Sequence, residues 1–390
     1  MDAGTVEPPP VPPVVDAASP APAPSAQVGE PIAGDDAWEP SEELLVVGRA
    51  HGCANTTSGL LCWGANEHGQ LGDGTRERRT SPVRALPRPA RTAAAGDAHT
   101  CADESCWGAN GAGQLGVAAG ADALSPTPAH TALLQRLRGA RRRWEWLALP
   151  SASCVRYDEG AGAVECAPDG LPSPDCAGSA MCPVYRTGVA GAGARTCVFH
   201  TMTSSSALRC SPDDRLSKQI GEGYSSARDA DLGVPSLQSI TSLGLGRDFA
   251  CGVQLDGRVR CWGDLSRLAG GASAYRAVTS PYWSARKIAV GDTFACFTRV
   301  DGRVLCFGDE PAMKLRTGDG RGLGVARVVS GEPGGDARMV VRLAAGAHHA
   351  CVRVGWGARG VYCWGQNDQG QLGDGTTVSR VEPVEVRLTP

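Results

Sequence analysis

Sixteen cysteines in 390 residues are the first chemistry this sequence offers. Zinc sites draw on close thiolate pairs such as Cys-x-x-Cys, and the chain has none. An even number of cysteines at regular spacing points instead to disulfides and an oxidising compartment. His51, His99 and His349 each stand two residues before a cysteine. Phe249 and Phe294 fill the same position elsewhere, so the position reads as packing rather than metal ligation. Asp73 and Asp374 bring one carboxylate per Asp-Gly-Thr loop, which is too few for calcium and ordinary for a turn. Residues 111–116, Gly-Ala-Gly-Gln-Leu-Gly, have dinucleotide-turn spacing, but that motif must open a helix. Pro126 and Pro128 follow closely, and the sister copies lack the first glycine, so the segment reads as a repeat turn. Neither Gly-x-Ser-x-Gly nor His-Glu-x-x-His occurs. No catalytic residue, metal ligand or cofactor is assigned.

Binding chemistry is concentrated in one charged stretch. Residues 135–146 carry Arg141, Arg142 and Arg143 directly before Trp144 and Trp146. Arg and Trp are enriched where proteins grip partners, which makes these five candidate partner-binding residues. The plainer reading is a strand and loop with the tryptophans packed inside. A second aromatic and basic loop, 274–287, adds Tyr282 and Trp283 as weaker candidates.

The elements that must position these groups are short. Gly (52) and Pro (27) are abundant and aromatics make up only 5%, which favours many strands and turns over helices. Residues 1–48 hold nine acidic residues and no Lys or Arg, so the rest of the chain is mildly basic against an overall −3. Lys occurs only three times, and the mild basic balance is by itself no nucleic-acid signature. Ten prolines in the first 40 residues make residues 1–43 an extended, acidic tether that cannot pack. Met1-Asp2-Ala3-Gly4 is not the start of a signal peptide, and no apolar run reaches membrane-spanning length. Set against the cysteines, this predicts a leader outside the given sequence, with a lipid anchor one form of it.

Residues 44–390 are repetitive. Segments 48–75, 96–116, 246–264, 291–309 and 346–376 share one order: Gly, a His or Phe three residues on, Cys two further, then a second Cys before Trp-Gly or Phe-Gly. Cys154 with Cys166 and Cys197 with Cys210 mark two weaker copies. First cysteines recur about every 50 residues, seven times, in the range of solenoids and propellers.

Hairpin geometry then sets the pairing. A three-residue loop Leu255-Asp256-Gly257 with Gly257 left-handed puts Cys251 opposite Cys261. The same loop at Val300-Asp301-Gly302 pairs Cys296 with Cys306, a two-residue loop pairs Cys101 with Cys106, and a four-residue loop ending at Gly59 pairs Cys53 with Cys62. Cys351 and Cys363 make the seventh pair. Cys176 and Cys182 are left over and close an insertion spanning 168–190. Segment 42–50 (Glu-Glu-Leu-Leu-Val-Val-Gly-Arg-Ala) and the closing Glu-Pro-Val-Glu-Val-Arg-Leu-Thr-Pro read as two parts of one repeat. N- and C-terminal strands sharing a blade would close a ring and leave no open edge.

The strings Trp63-Gly64, Asn66 and Gly69-Gln70-Leu71-Gly72-Asp73-Gly74-Thr75, repeated at Trp364 to Thr376 and partly at Trp107 to Gly116, resemble the signature of regulator-of-chromosome-condensation repeats. The resemblance implies an all-β, seven-bladed β-propeller. Known members include an exchange factor for a small GTPase and bacterial inhibitors of β-lactamase, which share a broad face that grips another protein. With the cysteines, it implies a secreted bacterial relative. The expectation is therefore a monomeric, non-enzymatic scaffold outside the cytoplasm (extracellular, periplasmic or on the cell surface). It would bind a protein or an envelope polymer and no nucleic acid. The alternatives are a glycan-active enzyme with carboxylates converging at the propeller channel, and a purely structural envelope protein.

Overall fold

The computed structural model describes residues 43–128, 144–149, 152–157, 163–167, 184–192, 195–202, 206–211, 240–269, 278–279, 284–313, 327–330, 339–355 and 360–388. Residues 1–42 of the expected tether, and the Cys176–Cys182 bridge, lie outside them. Residues 184–190, assigned above to the insertion, are strand instead.

Seven antiparallel sheets form from consecutive stretches of chain. The first holds β1 (Leu45–Val47), β2 (His51–Thr56), β3 (Gly59–Gly64) and β4 (Arg79–Leu86). The second holds β5 (Ala93–Ala95), β6 (His99–Ala102), β7 (Ser105–Gly108) and β8 (Ala123–Pro128). The third holds β9 (Trp144–Leu149), β10 (Ala152–Tyr157) and β11 (Ala163–Ala167), and the fourth β12 (Val184–Ala192), β13 (Arg195–Met202) and β14 (Ser206–Ser211). The fifth holds β15 (Ile240–Leu245), β16 (Phe249–Gln254), β17 (Val259–Gly263) and β18 (Val278–Thr279). The sixth holds β19 (Ala285–Val290), β20 (Phe294–Arg299), β21 (Val304–Gly308) and β22 (Arg327–Ser330). The last holds β23 (Met339–Ala345), β24 (His349–Gly355), β25 (Gly360–Gly365) and β26 (Arg380–Glu385).

The first strand of each sheet packs on the first strand of the next: β1 on β5, β5 on β9, β9 on β12, β12 on β15, β15 on β19 and β19 on β23. β23 then packs on β1, so the sheets are blades around one axis and the ring is closed.

Closure does not use a shared strand, which corrects the expectation above. β1 is the innermost strand of the first blade, and β26 is the outermost strand of the last. A side-chain lock does the work. The Gly-Gln-Leu-Gly loop of one blade presents the carbonyl of its Gln to the next blade. Gln70 O accepts from Trp107 Nε1 and from the Thr100 hydroxyl, each at 2.9 Å. Gln371 O accepts from Trp63 Nε1 at 3.0 Å, across the seam between the last blade and the first. An apolar core lies under that seam, with Leu45, Trp63, Val361, Leu372 and Val386 buried together. Burying whole tryptophans between blades supplies the apolar area that the few aromatics must provide.

Within blades the cysteines face each other across the second and third strands. Cys53–Cys62, Cys101–Cys106, Cys251–Cys261, Cys296–Cys306 and Cys351–Cys363 are bridged, with Cα atoms 4.0–4.1 Å apart. Cys154 stands opposite Cys166, and Cys197 opposite Cys210, in the same backbone register. The hairpin after β16 explains that register. Gly257 adopts φ +76, its N–H donates to Gln254 O, and Gln254 N donates to Arg258 O at 2.8 Å.

The Asp-Gly-Thr loops are self-contained. Asn66 Nδ2 donates to Asp73 Oδ1, Thr75 O and Glu77 O, while its Oδ1 accepts from Leu71 N. Arg79 Nε donates to Asp73 Oδ2 at 2.8 Å. Asn367, Asp374, Thr376 and Arg380 repeat the arrangement in the last blade. Hydrogen bonds from Thr75, Arg79 and Asn66 outweigh burial and hold the Asp73 carboxyl below the ordinary range. These carboxylates are committed to their own loops. Asn66→Ala strands one buried and two part-buried backbone groups at once, and a loss of about 1–3 kcal/mol is expected by thermal or denaturant melting. Residues 111–116 form the equivalent turn between β7 and β8 with no helix after them, in keeping with a repeat turn.

Candidate functional site

In blades one, two, five, six and seven, a two-residue turn joins the innermost strand to the second. The leading glycine N–H donates to the carbonyl of the His or Phe three residues on: Gly48 to His51, Gly96 to His99, Gly246 to Phe249, Gly291 to Phe294 and Gly346 to His349. All these turns lie at the same end of the innermost strands, around the mouth of the axial channel. They nest against one another. Arg247 N donates to Asp292 O at 3.2 Å, Asp292 N to Ala347 O at 2.9 Å, and Ala347 N to Arg49 O at 3.0 Å. A Cβ on Gly48 would stand 2.3 Å from Gly96 O, so only glycine allows this approach.

The His or Phe behind each turn is structural. His51 and His349 are fully buried. The Thr100 hydroxyl donates to Gln70 O, so its oxygen accepts from His51 Nε2 at 2.9 Å. His99 Nε2 stands 2.9 Å from the Ser153 hydroxyl of the next blade. Thr100 and Ser153 each directly precede the first cysteine of their blade; Ala295 and Ala350 occupy that place beyond Phe249 and Phe294. Beyond His349 the place is Gly52, and neither ring nitrogen of His349 meets a partner. Burial drives the pKa of both His51 and His349 down to about 3, with repulsion from neighbouring histidines adding to it.

The two central turn residues carry the exposed chemistry. Arg49 of blade one reaches over Ala347 of blade seven and donates Nη2 to Asp292 Oδ2 of blade six at 3.0 Å. Its Nη1 lies 3.8 Å from Asp97 Oδ2 of blade two. Arg247 of blade five also meets Asp292 Oδ2, at 3.4 Å. Beside them His348 Nδ1 donates to Glu310 Oε2 at 2.7 Å. Glu310 is buried and held by the Thr293 hydroxyl and Ala312 N. The result is an alternating chain of charge, Asp97–Arg49–Asp292–Arg247, around one side of the mouth, with a carboxylate–imidazole pair next to it. Desolvation and the nearby Asp292 raise the Asp97 pKa to about 6, against the opposing pull of Arg49. The hydrogen bond to Glu310 raises His348 above its ordinary value, more than burial lowers it.

Trp144 and Trp146 stand on β9, the innermost strand of the third blade, opposite Tyr157 and Val155. Arg141, Arg142, Arg143, Tyr282 and Trp283 lie outside the described residues. The mouth chain does leave a signal in the sequence. The residue after the leading glycine is Arg, Asp, Arg, Asp and Ala in the five strong copies, charged in four of them. Among the described residues no group of three or more His, Cys, Asp or Glu could hold a metal ion. No described helix is long and apolar enough to cross a membrane.

A closed ring of stapled antiparallel blades with a charged channel mouth defines a β-propeller. The regulator of chromosome condensation (RCC1) repeat matches residues 59–102 and 360–390. Those two stretches match the RCC1 repeat, and the chain shares the propeller fold of RCC1 structures. Similar solved structures include human WBSCR16, at 17% identity and TM-score 0.61, covering 84% of this chain and 93% of that one. Prp20p from Saccharomyces cerevisiae is similar at 14% identity and TM-score 0.61, covering 91% and 90%. Yeast RCC1 (Prp20) in complex with Kap60 gives 16% identity and TM-score 0.59, covering 84% and 83%. At these identities the likeness is one of fold. No curated protein sequence matches the chain.

Proposed function

We propose that the chain is a non-enzymatic protein-binding scaffold of the cell exterior or envelope, and that it binds through the channel-mouth face. The observation that carries this reading is the belt of nested turns. It holds Arg49, Arg247 and His348 partly exposed on turns hydrogen-bonded from blade to blade, with Asp97 partly exposed beside Arg49. Preorganised side chains lose little entropy on binding, which is what a recognition surface needs. Disulfides in the described blades fit an oxidising location. The relatives point the same way, since Prp20p is described by its binding to Gsp1p and histones, and yeast RCC1 was solved bound to Kap60.

One observation favours a glycan-active enzyme as a second reading. Asp97 and Asp292 both approach the mouth, and a carboxylate pair is what glycoside hydrolysis requires. Arg49 lies between them and binds both, which occupies the space a scissile bond would need. Pull-down from the native envelope with the full chain, alongside a polysaccharide-degradation assay, separates the two. Capture lost on Arg247→Glu supports the scaffold; degradation lost on Asp97→Asn, with no partner captured, supports the enzyme.

A further inference from the structure

We propose that the channel mouth is a carboxylate-recognition site, in which Arg49, Arg247 and His348 grip an Asp or Glu side chain of the protein partner, and that acidification strengthens the grip. This rests on the scaffold reading and adds the chemistry of the contact.

The argument begins with which charges face solvent. Side chains of Arg49, Arg247 and His348 are 38%, 53% and 36% exposed, whereas those of Asp292 and Glu310 are 7% and 5% exposed. The basic groups look outward over the sunken Asp292 and Glu310, and Asp97, 34% exposed, stands beside Arg49. Arg49 and Arg247 converge on the single oxygen Oδ2 of Asp292, at 3.0 and 3.4 Å, and Arg49 also meets Asp97 at 3.8 Å, so neutralising Asp97 removes one of the two carboxylates that face Arg49. Arg49 spans from blade one to blade six only because blade seven carries the small Ala347 between them. His348 uses Nδ1 on Glu310, which aims Nε2 away from that carboxylate. Guanidinium forks held this way suit the planar, two-oxygen geometry of a carboxylate. Two arginines that meet at one point are sized for one acidic side chain. A nucleic-acid backbone would call for a longer basic track.

The charge balance of the mouth changes with pH. Asp97 lies beside Arg49 and Asp292; His348 lies beside Glu310, Asp292 and Arg49. Asp248, next to Arg247, is the other acidic turn residue of these blades. The connections of blades three and four, 150–151 and 193–194, carry no charge in the sequence. With Asp97 near 6 and His348 raised, acidification both neutralises Asp97 and charges His348. Both changes make the mouth more positive, so an anionic guest binds more tightly as pH falls.

The test is fluorescence anisotropy of a labelled hexaglutamate peptide with the full chain at low salt, between about pH 5.5 and pH 8, a range in which glutamate stays ionised. The expected result is about tenfold or greater tightening toward the acid end. Arg247→Gln abolishes most of the acid-end binding, and Asp97→Asn tightens binding at the alkaline end and flattens the profile. Arg258→Gln, in the hairpin at the opposite end of the blades, changes nothing. Melting curves check that Arg49→Gln remains folded; Arg247→Gln and Asp97→Asn decide the matter if it does not. Binding that ignores pH, or survives Arg247→Gln, overturns the proposal. So does tighter, Arg247-dependent binding of dextran sulfate or a single-stranded oligonucleotide, which would reassign the site to another anion. A partner captured at this face but indifferent to Arg49→Gln and Arg247→Gln overturns the carboxylate site while leaving the scaffold reading intact.

Discussion

Reduction and alkylation of the cysteines is expected to unfold this chain at room temperature. The bridges Cys53–Cys62, Cys101–Cys106, Cys251–Cys261, Cys296–Cys306 and Cys351–Cys363 close hairpins with sequence separations between 5 and 12. Loops of that size are worth about 2–3 kcal/mol each in the chain-entropy description. Domain stabilities are only about 5–15 kcal/mol, so losing several bridges together exceeds what the rest of the fold can offset. The bridging sulfurs are buried, so a reductant needs the blades to open first. Circular dichroism before and after dithiothreitol in mild denaturant checks this. Loss of the β signal that does not return after alkylation is expected, whereas a reduced chain that melts like the oxidised one would refute it.

Acid is expected to destabilise the fold well above the carboxylate range. His51 and His349 are buried and neutral, with pKa values near 3 against about 6.5 when unfolded. The unfolded chain therefore binds more protons below about pH 6.5, and stability falls with pH from there toward 3. Each histidine contributes a slope of about 1.4 kcal/mol per pH unit, and the pair roughly twice that. Asp73 and Asp374 are held below their ordinary values, so their contribution is complete above about pH 4 and lost only beneath it. Asp97, raised to about 6, takes up a proton in the folded state over the same range and offsets part of that slope, so the net loss of stability between about pH 6 and 4 belongs to the histidines. His349→Phe tests this. Phe already fills the position in blades five and six, and His349 forms no hydrogen bond that the change would break. Urea unfolding across this range should lose about one proton of slope in the variant, with stability at neutral pH kept or raised. An unchanged slope would show that His349 is not the group that titrates.

What could be read in advance was the part written by cysteines and turn glycines. A cysteine opposite a cysteine fixes strand register whatever lies around it. Register therefore holds even in blades three and four, where Trp-Gly is lost. The His-or-Phe exchange disclosed an inter-blade packing position for the same reason, because two residue types so different share only their shape. Ring closure was misread. β1 is three residues long, too short for its alternation to show which sheet it joins. The lock that closes the seam, Trp63 Nε1 to Gln371 O, joins residues at opposite ends of the chain. The mouth was hidden because its members contribute one residue per blade. Arg49 and Asp292 are 243 positions apart, and no linear motif can announce such a pair.

The face that meets the partner is the claim on which the functional account turns. The most direct measurement places a photoreactive side chain at Asp248, in a mouth turn, or at Leu255, which is 69% exposed in the hairpin at the far end of the same blade. Each full-length variant is irradiated in the native envelope. Cross-links from position 248 and none from 255 are the result predicted. Cross-links from 255 alone would contradict the account and move the binding surface to the opposite face.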